Sequence, residues 1–145
     1  MSWGLNNSGQ LGDNTTIQRT TPVAVNTAQG TSALFGKTVV AISAGSQHNV
    51  ALCSDGTLVS WGYNFSGQLG DNTTNYRYAP VVVNTENGAS ALAGKTVTAI
   101  AAGAAHSLAL CSDGTVAAWG SNGAAQLGDT TTTQRNAPVA VNTTS

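Results

Sequence analysis

Trp3, Trp61 and Trp119 each open a Trp-Gly pair, and successive pairs stand 58 residues apart both times. The text after each pair repeats almost word for word, which divides the chain into repeat 1 over residues 3–60, repeat 2 over 61–118 and a partial repeat 3 over 119–145. A fixed period of this size marks a repeat architecture, in which each unit is one supersecondary structure that buries its apolar faces against its neighbours. Residues 1–145 are therefore expected to form a single repeat segment and not a set of unrelated domains.

The repeat also acts as an internal control. Charged residues make up 8% of the chain and the formal net charge is −1. The basic residues Arg19, Arg77, Arg135, Lys37 and Lys95 all fall at template positions, so no clustered Lys/Arg footprint for nucleic acid is expected. Among the acidic residues only Glu86 is private to one repeat; Asp13, Asp71 and Asp129 follow LG, and Asp55 and Asp113 sit in SDG. No apolar run approaches the roughly 20 residues of a membrane helix. Met1 leads straight into the repeat without a basic, apolar leader, so a soluble chain with no signal peptide of its own is expected.

Within one period the punctuation predicts strands. Lys95 to Gly103 (KTVTAIAAG) is small and β-branched on both faces, and His106 to Cys111 (HSLALC) is a second apolar run. Ser112-Asp113-Gly114 then reads as a tight hairpin leading to Thr115 to Gly120 (TVAAWG), because Gly and Asp tolerate positive φ. A long Gly-, Asn- and Thr-rich loop ends at Pro138 before Val139 to Val141, and Pro suits an edge strand that can spare a donor. Four short strands and no helix per period predict an all-β fold of propeller blades, each of four antiparallel strands. The alternative on residues alone is an open β-solenoid, whose rungs are usually shorter. The small residues of AISAG and AIAAG fit the crowded axis of a propeller, and Trp, Leu and Val fit the wider parts of a blade.

The strings WGYNFSGQLGDNTT, AGSQHNVALCSDGTLVSWG and AGAAHSLALCSDGTVAAWG resemble the repeats of the RCC1 (regulator of chromosome condensation) family, over essentially the whole chain. The resemblance implies blades of a seven-bladed propeller, most similar to bacterial proteins with near-identical repeats. It also implies protein partners for relatives: a small GTPase and nucleosomes for the eukaryotic namesake, a β-lactamase for a secreted bacterial relative. This chain has neither the namesake's extra wedge nor a basic arm, so neither activity transfers.

Most residues that look chemical belong to the template. His48 and His106, with Ser107 adjacent and Asp113 near, invite a catalytic reading, yet the same trio, give or take Asn49 for Ser107, recurs in each repeat, so a strand-positioning His is expected. GQLGD (Gly9 to Asp13, Gly67 to Asp71) lacks the terminal Lys of a phosphate loop and offers too few oxygens for calcium. It is expected to fold with Leu11, Leu69 and Leu127 tucked under Trp and Asp making an Asx turn. Ala125 replaces the glycine of Gly9 and Gly67, which predicts a strained or rearranged loop if that position needs positive φ. Cys53 and Cys111 occupy equivalent places and are expected as buried free thiols. The Asn-x-Ser/Thr triplets at Asn14, Asn64, Asn72 and Asn142 arise by default from this composition. No catalytic residue, cofactor or metal is expected.

Where the copies differ is more informative. Roughly two thirds of positions agree between the first two repeats, and the exceptions cluster in the long loop. Leu5, Tyr63 and Ser121 are equivalent, as are Asn7, Phe65 and Gly123; Gln18, Tyr76 and Gln134; and Thr20, Tyr78 and Asn136. Tyr63, Phe65, Tyr76 and Tyr78 are therefore the candidate partner-binding residues, exposed aromatics being favoured interface anchors. The competing expectation is that they cover a blade edge or pack on a neighbouring blade.

About two and a half repeats form an incomplete propeller. The predicted strand order is one spare outer strand (Pro22 to Val25) and two four-stranded blades, leaving two apolar faces open. Either the chain is a fragment of a longer propeller, or copies assemble head to tail as a homo-oligomeric ring. The expected function is a non-enzymatic module for protein–protein interaction. The alternatives are a structural or adhesive segment of a large exported bacterial protein, at the cell surface or outside it, and a carbohydrate-binding propeller.

Overall fold

The computed structural model describes residues 1–144, and every regular element among them is a β-strand. The strands are β1 (Ser2–Gly4), β2 (Arg19–Val23), β3 (Val39–Ala44), β4 (His48–Cys53), β5 (Leu58–Gly62), β6 (Arg77–Val82), β7 (Val97–Ala102), β8 (His106–Cys111), β9 (Val116–Gly120) and β10 (Arg135–Ala140). They form two four-stranded antiparallel sheets, β3-β4-β5-β6 and β7-β8-β9-β10, and one two-stranded sheet, β1-β2. These are propeller blades: a middle blade, a last blade, and a leading half-blade whose two strands match β5 and β6 one period later.

The half-blade corrects the expected single spare strand. Ser2 pairs with Val23 and Gly4 with Arg19, so the first Trp-Gly pair already lies in a strand of its own. The outer strands begin earlier than their prolines suggested, because Arg77 pairs with Gly62 and Arg135 with Gly120 before an irregularity in register. Each Asp-Gly hairpin forms as expected, although only its glycine adopts positive φ. Asp55 instead accepts the Thr57 amide, and Lys37 donates to its other oxygen at 2.6 Å.

The crowded axis has a direct measure. A Cβ on Gly45 would sit 2.5 Å from the Gly103 carbonyl oxygen, so the inner edges of adjacent blades converge on one another. Ser43 Oγ accepts the Ala102 amide across the same gap at 2.9 Å. Bulk in AISAG or AIAAG would push the blades apart.

One blade junction is sealed and the other is half-made. Val50, Leu52 and Leu58 of the middle blade pack with Val97, Ala109, Cys111, Ala117 and Trp119 of the last blade, and all are buried. The half-blade covers only the outer part of the middle blade, around Leu34, Ala51, Cys53, Val59 and Trp61. Exposure therefore grades along the repeat: Trp3 is 63% exposed, Trp61 2% and Trp119 0%. Cys53 and Cys111 are buried free thiols, and burial, helped by Asp55 and Asp113, pushes both upward in pKa.

Candidate functional site

A buried asparagine organises the loop that carries the candidate aromatics. In repeat 2, Asn64 Nδ2 donates to Asp71 Oδ1 at 3.1 Å and to the carbonyls of Thr73 and Asn75, while its Oδ1 accepts the Leu69 amide at 2.9 Å. Asp71 in turn accepts from Thr73 and, at 2.7 Å, from Arg77. Asn6 with Asp13 and Asn122 with Asp129 repeat the arrangement. Burial alone would raise Asp129, but hydrogen bonds from Thr131, Arg135 and Asn122 outweigh it and hold the carboxyl down at about 2. The Asp is thus more than an Asx turn. It joins the two ends of the loop, and both carboxylate oxygens are engaged within it.

On this frame Tyr63 follows β5 directly and Tyr76 precedes β6, one residue beyond the Gly62–Arg77 pair on each side. The two rings meet with centroids 4.7 Å apart at 46°, and Phe65 lies 6.5 Å from Tyr63 at 34°. The neighbouring Tyr63 hydroxyl, with some burial, raises the Tyr76 phenol. Phe65 is 67% exposed at the outer end of this cluster, and Tyr76 is also partly open to solvent. Tyr78 is placed differently. It lies against Gly9 of the preceding loop, and its carbonyl accepts the Asn14 amide at 2.8 Å. Three of the four aromatics are therefore brought together, and the fourth packs on a neighbouring unit.

The histidine motif does more than place a strand. His48 Nε2 meets Ser107 Oγ of the next blade at 2.9 Å, and Ser107 Oγ donates to the Gln68 carbonyl at 2.8 Å. Since the serine proton is committed to a carbonyl, His48 must donate through Nε2, which is the reverse of a serine nucleophile activated by a base. Trp119 Nε1 donates to the same Gln68 carbonyl at 2.9 Å. At the earlier junction Trp61 Nε1 and Asn49 Nδ2 both donate to the Gln10 carbonyl. Burial, with a smaller contribution from His106, pushes His48 down to about 4. Asp113 is drawn elsewhere, bonded to Lys95 at 2.6 Å. GQLG is likewise an inter-blade device. Leu11, Leu69 and Leu127 are buried as expected, and the glycines after the first two lie against Trp61 and Trp119 of the following repeat.

Ala125 keeps the loop and takes the strain. It sits at φ 57°, in the left-handed region shared by Gly9 and Gly67, and the Ala125 amide still bonds to the Asn122 carbonyl at 2.9 Å.

Sheets of this form, stacked about a crowded edge with loops knitted from blade to blade, define a β-propeller repeat protein. The regulator of chromosome condensation (RCC1) repeat model matches residues 2–52 and 55–110, and a second model of the same repeat matches 39–68 and 97–126. This chain belongs to the RCC1 repeat family. It is 34% identical over 128 residues to the ultraviolet-B receptor UVR8 of Arabidopsis thaliana, covering 88% of this chain and 26% of the receptor. The structure of human WBSCR16 superposes with a TM-score of 0.77 at 28% identity, over 97% of this chain and 34% of that one. Yeast RCC1 (Prp20), solved bound to Kap60, superposes with a TM-score of 0.75 at 24% identity, over 99% of this chain and 33% of that one. The chain thus spans about a quarter to a third of these relatives.

Proposed function

We propose that this chain is a non-enzymatic propeller segment that binds a protein partner through Tyr63, Phe65 and Tyr76. The observation that carries this reading is the cluster itself: three rings, private to one repeat, held by a buried Asn64–Asp71 frame with Phe65 exposed at its tip. Rigid aromatics on a fixed scaffold lose little entropy on binding, which is what interface anchors need. The crystal structure of yeast RCC1 with Kap60 supports a protein partner for this fold. The non-enzymatic part is supported by His48, which is sealed between blades, uncharged near neutrality and hydrogen-bonded the wrong way round for a general base.

The test compares wild type with Phe65→Ala/Tyr76→Ala. These residues are partly exposed, so the melting temperature should change little. Partners captured from extracts of the source cell by wild type should be lost with the double variant, while Tyr78→Ala, placed on the neighbouring loop, should retain them. Equal capture by wild type and double variant would remove the cluster as the site, and selective retention of a glycan on an array would favour the carbohydrate reading.

A further inference from the structure

The chain holds two Asn-Gly pairs, Asn87-Gly88 and Asn122-Gly123, and two Asp-Gly pairs, Asp55-Gly56 and Asp113-Gly114. In such a pair the glycine nitrogen can attack the side-chain carbonyl carbon before it and close a five-membered ring, an intramolecular reaction governed by how freely the two groups align. Three of the four pairs are tied. Gly56 and Gly114 donate their amides to the Cys53 and Cys111 carbonyls at 2.9 and 3.0 Å, and Asp55 and Asp113 are bonded to Lys37 and Lys95. Asn122 is 1% exposed, with Nδ2 donating to Asp129 and to the Thr131 and Thr133 carbonyls. Its Oδ1 accepts the Leu127 amide, and its backbone carbonyl accepts the Ala125 amide.

Asn87-Gly88 is held by none of these. Both residues are exposed, and neither the Asn87 carbonyl nor the Gly88 amide has a backbone partner among the described residues. The pair forms the tip of a turn that the Ala89 amide closes on the Glu86 carbonyl at 3.2 Å. Gly88 sits at φ 79°, and a Cβ built on it would meet nothing within 4 Å. The peptide between Asn87 and Gly88 can therefore swing over without breaking a hydrogen bond or meeting a neighbour.

We propose that Asn87 is the site at which this chain deamidates, through a succinimide formed with Gly88, and that the change adds a carboxylate to this one turn while leaving the blades intact. The Gly88 nitrogen, its proton taken by hydroxide, bonds to Asn87 Cγ, and the Cγ–Nδ2 bond breaks to release ammonia. Water then opens the imide. Attack at Cγ gives an aspartyl residue, and attack at the main-chain carbonyl gives an isoaspartyl residue whose chain runs through Cγ. Either way one water is taken up and one ammonia lost. The new charge lies beside Glu86, the acid private to this repeat, in a chain of formal net charge −1. The extra main-chain atom of the isoaspartyl form falls between two anchors, the Asn84 amide on the Gly70 carbonyl at 2.8 Å and the Ala91 amide on the Pro138 carbonyl at 2.9 Å. Val83 and Leu92, beyond those anchors, stay in the core between the blades.

Repeat 1 carries the same turn with one methylene more. The Thr31 amide closes it on the Ala28 carbonyl at 3.2 Å and Gly30 sits at φ 77°, but Gln29 stands in place of Asn87. Attack by Gly30 on Gln29 Cδ would close a six-membered ring and freeze a further rotor, so this turn reacts more slowly.

The test incubates the full chain in mildly alkaline buffer, separates acidic forms by anion exchange, and maps them by peptide mass and by enzymatic methylation of isoaspartyl groups. One acidic form should grow first, with aspartyl and isoaspartyl products at position 87 and with Asn122 and Gln29 intact. Asn122 should convert about tenfold or more slowly than Asn87 in the folded chain, because one or two of its hydrogen bonds must break first. In urea the two asparagines should convert alike, since the dipeptide is the same and only the fold separates them. Asn87→Gln, the residue that repeat 1 already carries in this turn, should remove the acidic form, and the isolated product should melt with the parent. Equal conversion of Asn122 in the folded chain, conversion of Asn87 in urea alone, or an acidic form that survives Asn87→Gln overturns the site. A product that melts well below the parent overturns the claim that the turn absorbs the change.

Discussion

His48 shows how one residue reports on the junction between blades. Its imidazole has one polar contact, Ser107 Oγ, and Nδ1 is buried without a partner. Charging it would place a cation in a gap with no acceptor for the second proton, which is why its folded pKa lies near 4 against 6.5 in the unfolded chain. The unfolded chain then binds a proton between those values that the folded chain does not. Stability from this group is complete above about pH 6.5 and falls as pH drops towards 4, by about 3 kcal/mol across the window. Urea denaturation at pH 7 and pH 4.5 should show that loss in wild type and not in His48→Gln; an equal loss in both would place the acid sensitivity elsewhere. The sequence showed that His belongs to the template but not that it donates to the next blade, because the partner Ser107 is 59 residues away. The structural roles of Asn6, Asn64 and Asn122 are hidden in the sequence for a related reason. In a chain this rich in Asn, only burial separates a structural amide from a decorative one.

The loop after each Trp-Gly pair is the element where identity of sequence and identity of environment part company. Gly9 and Gly67 are fixed twice, by positive φ and by the backbone of the following outer strand; Ala125 has the φ without the neighbour. Gly67→Ala should therefore cost more than the left-handed penalty of roughly 1–2 kcal/mol, since Asn136 must also move. Ala125→Gly should gain up to about 1 kcal/mol, the relief of that strain being partly offset by a looser unfolded chain. Thermal melts of the two variants check this, and a Gly67→Ala cost no larger than the Ala125→Gly gain would mean that the junction yields. Strand identities were readable from period, apolar runs and Asp-Gly turns. The existence of β1 was not, because three residues of strand carry too little pattern. The aromatic cluster was readable as a departure from the template, but whether rings on one loop converge depends on backbone register. Tyr78, two residues from Tyr76, faces a different neighbour.

At the scale of the molecule, the repeat count set how many faces would be covered, and exposure of equivalent residues follows it. Trp3, Trp61 and Trp119 share the Trp-Gly template, and only Trp61 and Trp119 have a preceding loop to donate to, through the carbonyls of Gln10 and Gln68. Stability should therefore concentrate in the one sealed junction, where two complete blades bury Val50, Leu52, Leu58 and Trp119 together. Native-state amide hydrogen exchange measures this directly. Amides of β4, β5, β8 and β9 should exchange slowest, by opening of the whole junction, and those of β1 and β2 should exchange fastest, through local opening of the half-blade. Equal protection of β1–β2 and β8–β9 would contradict the account.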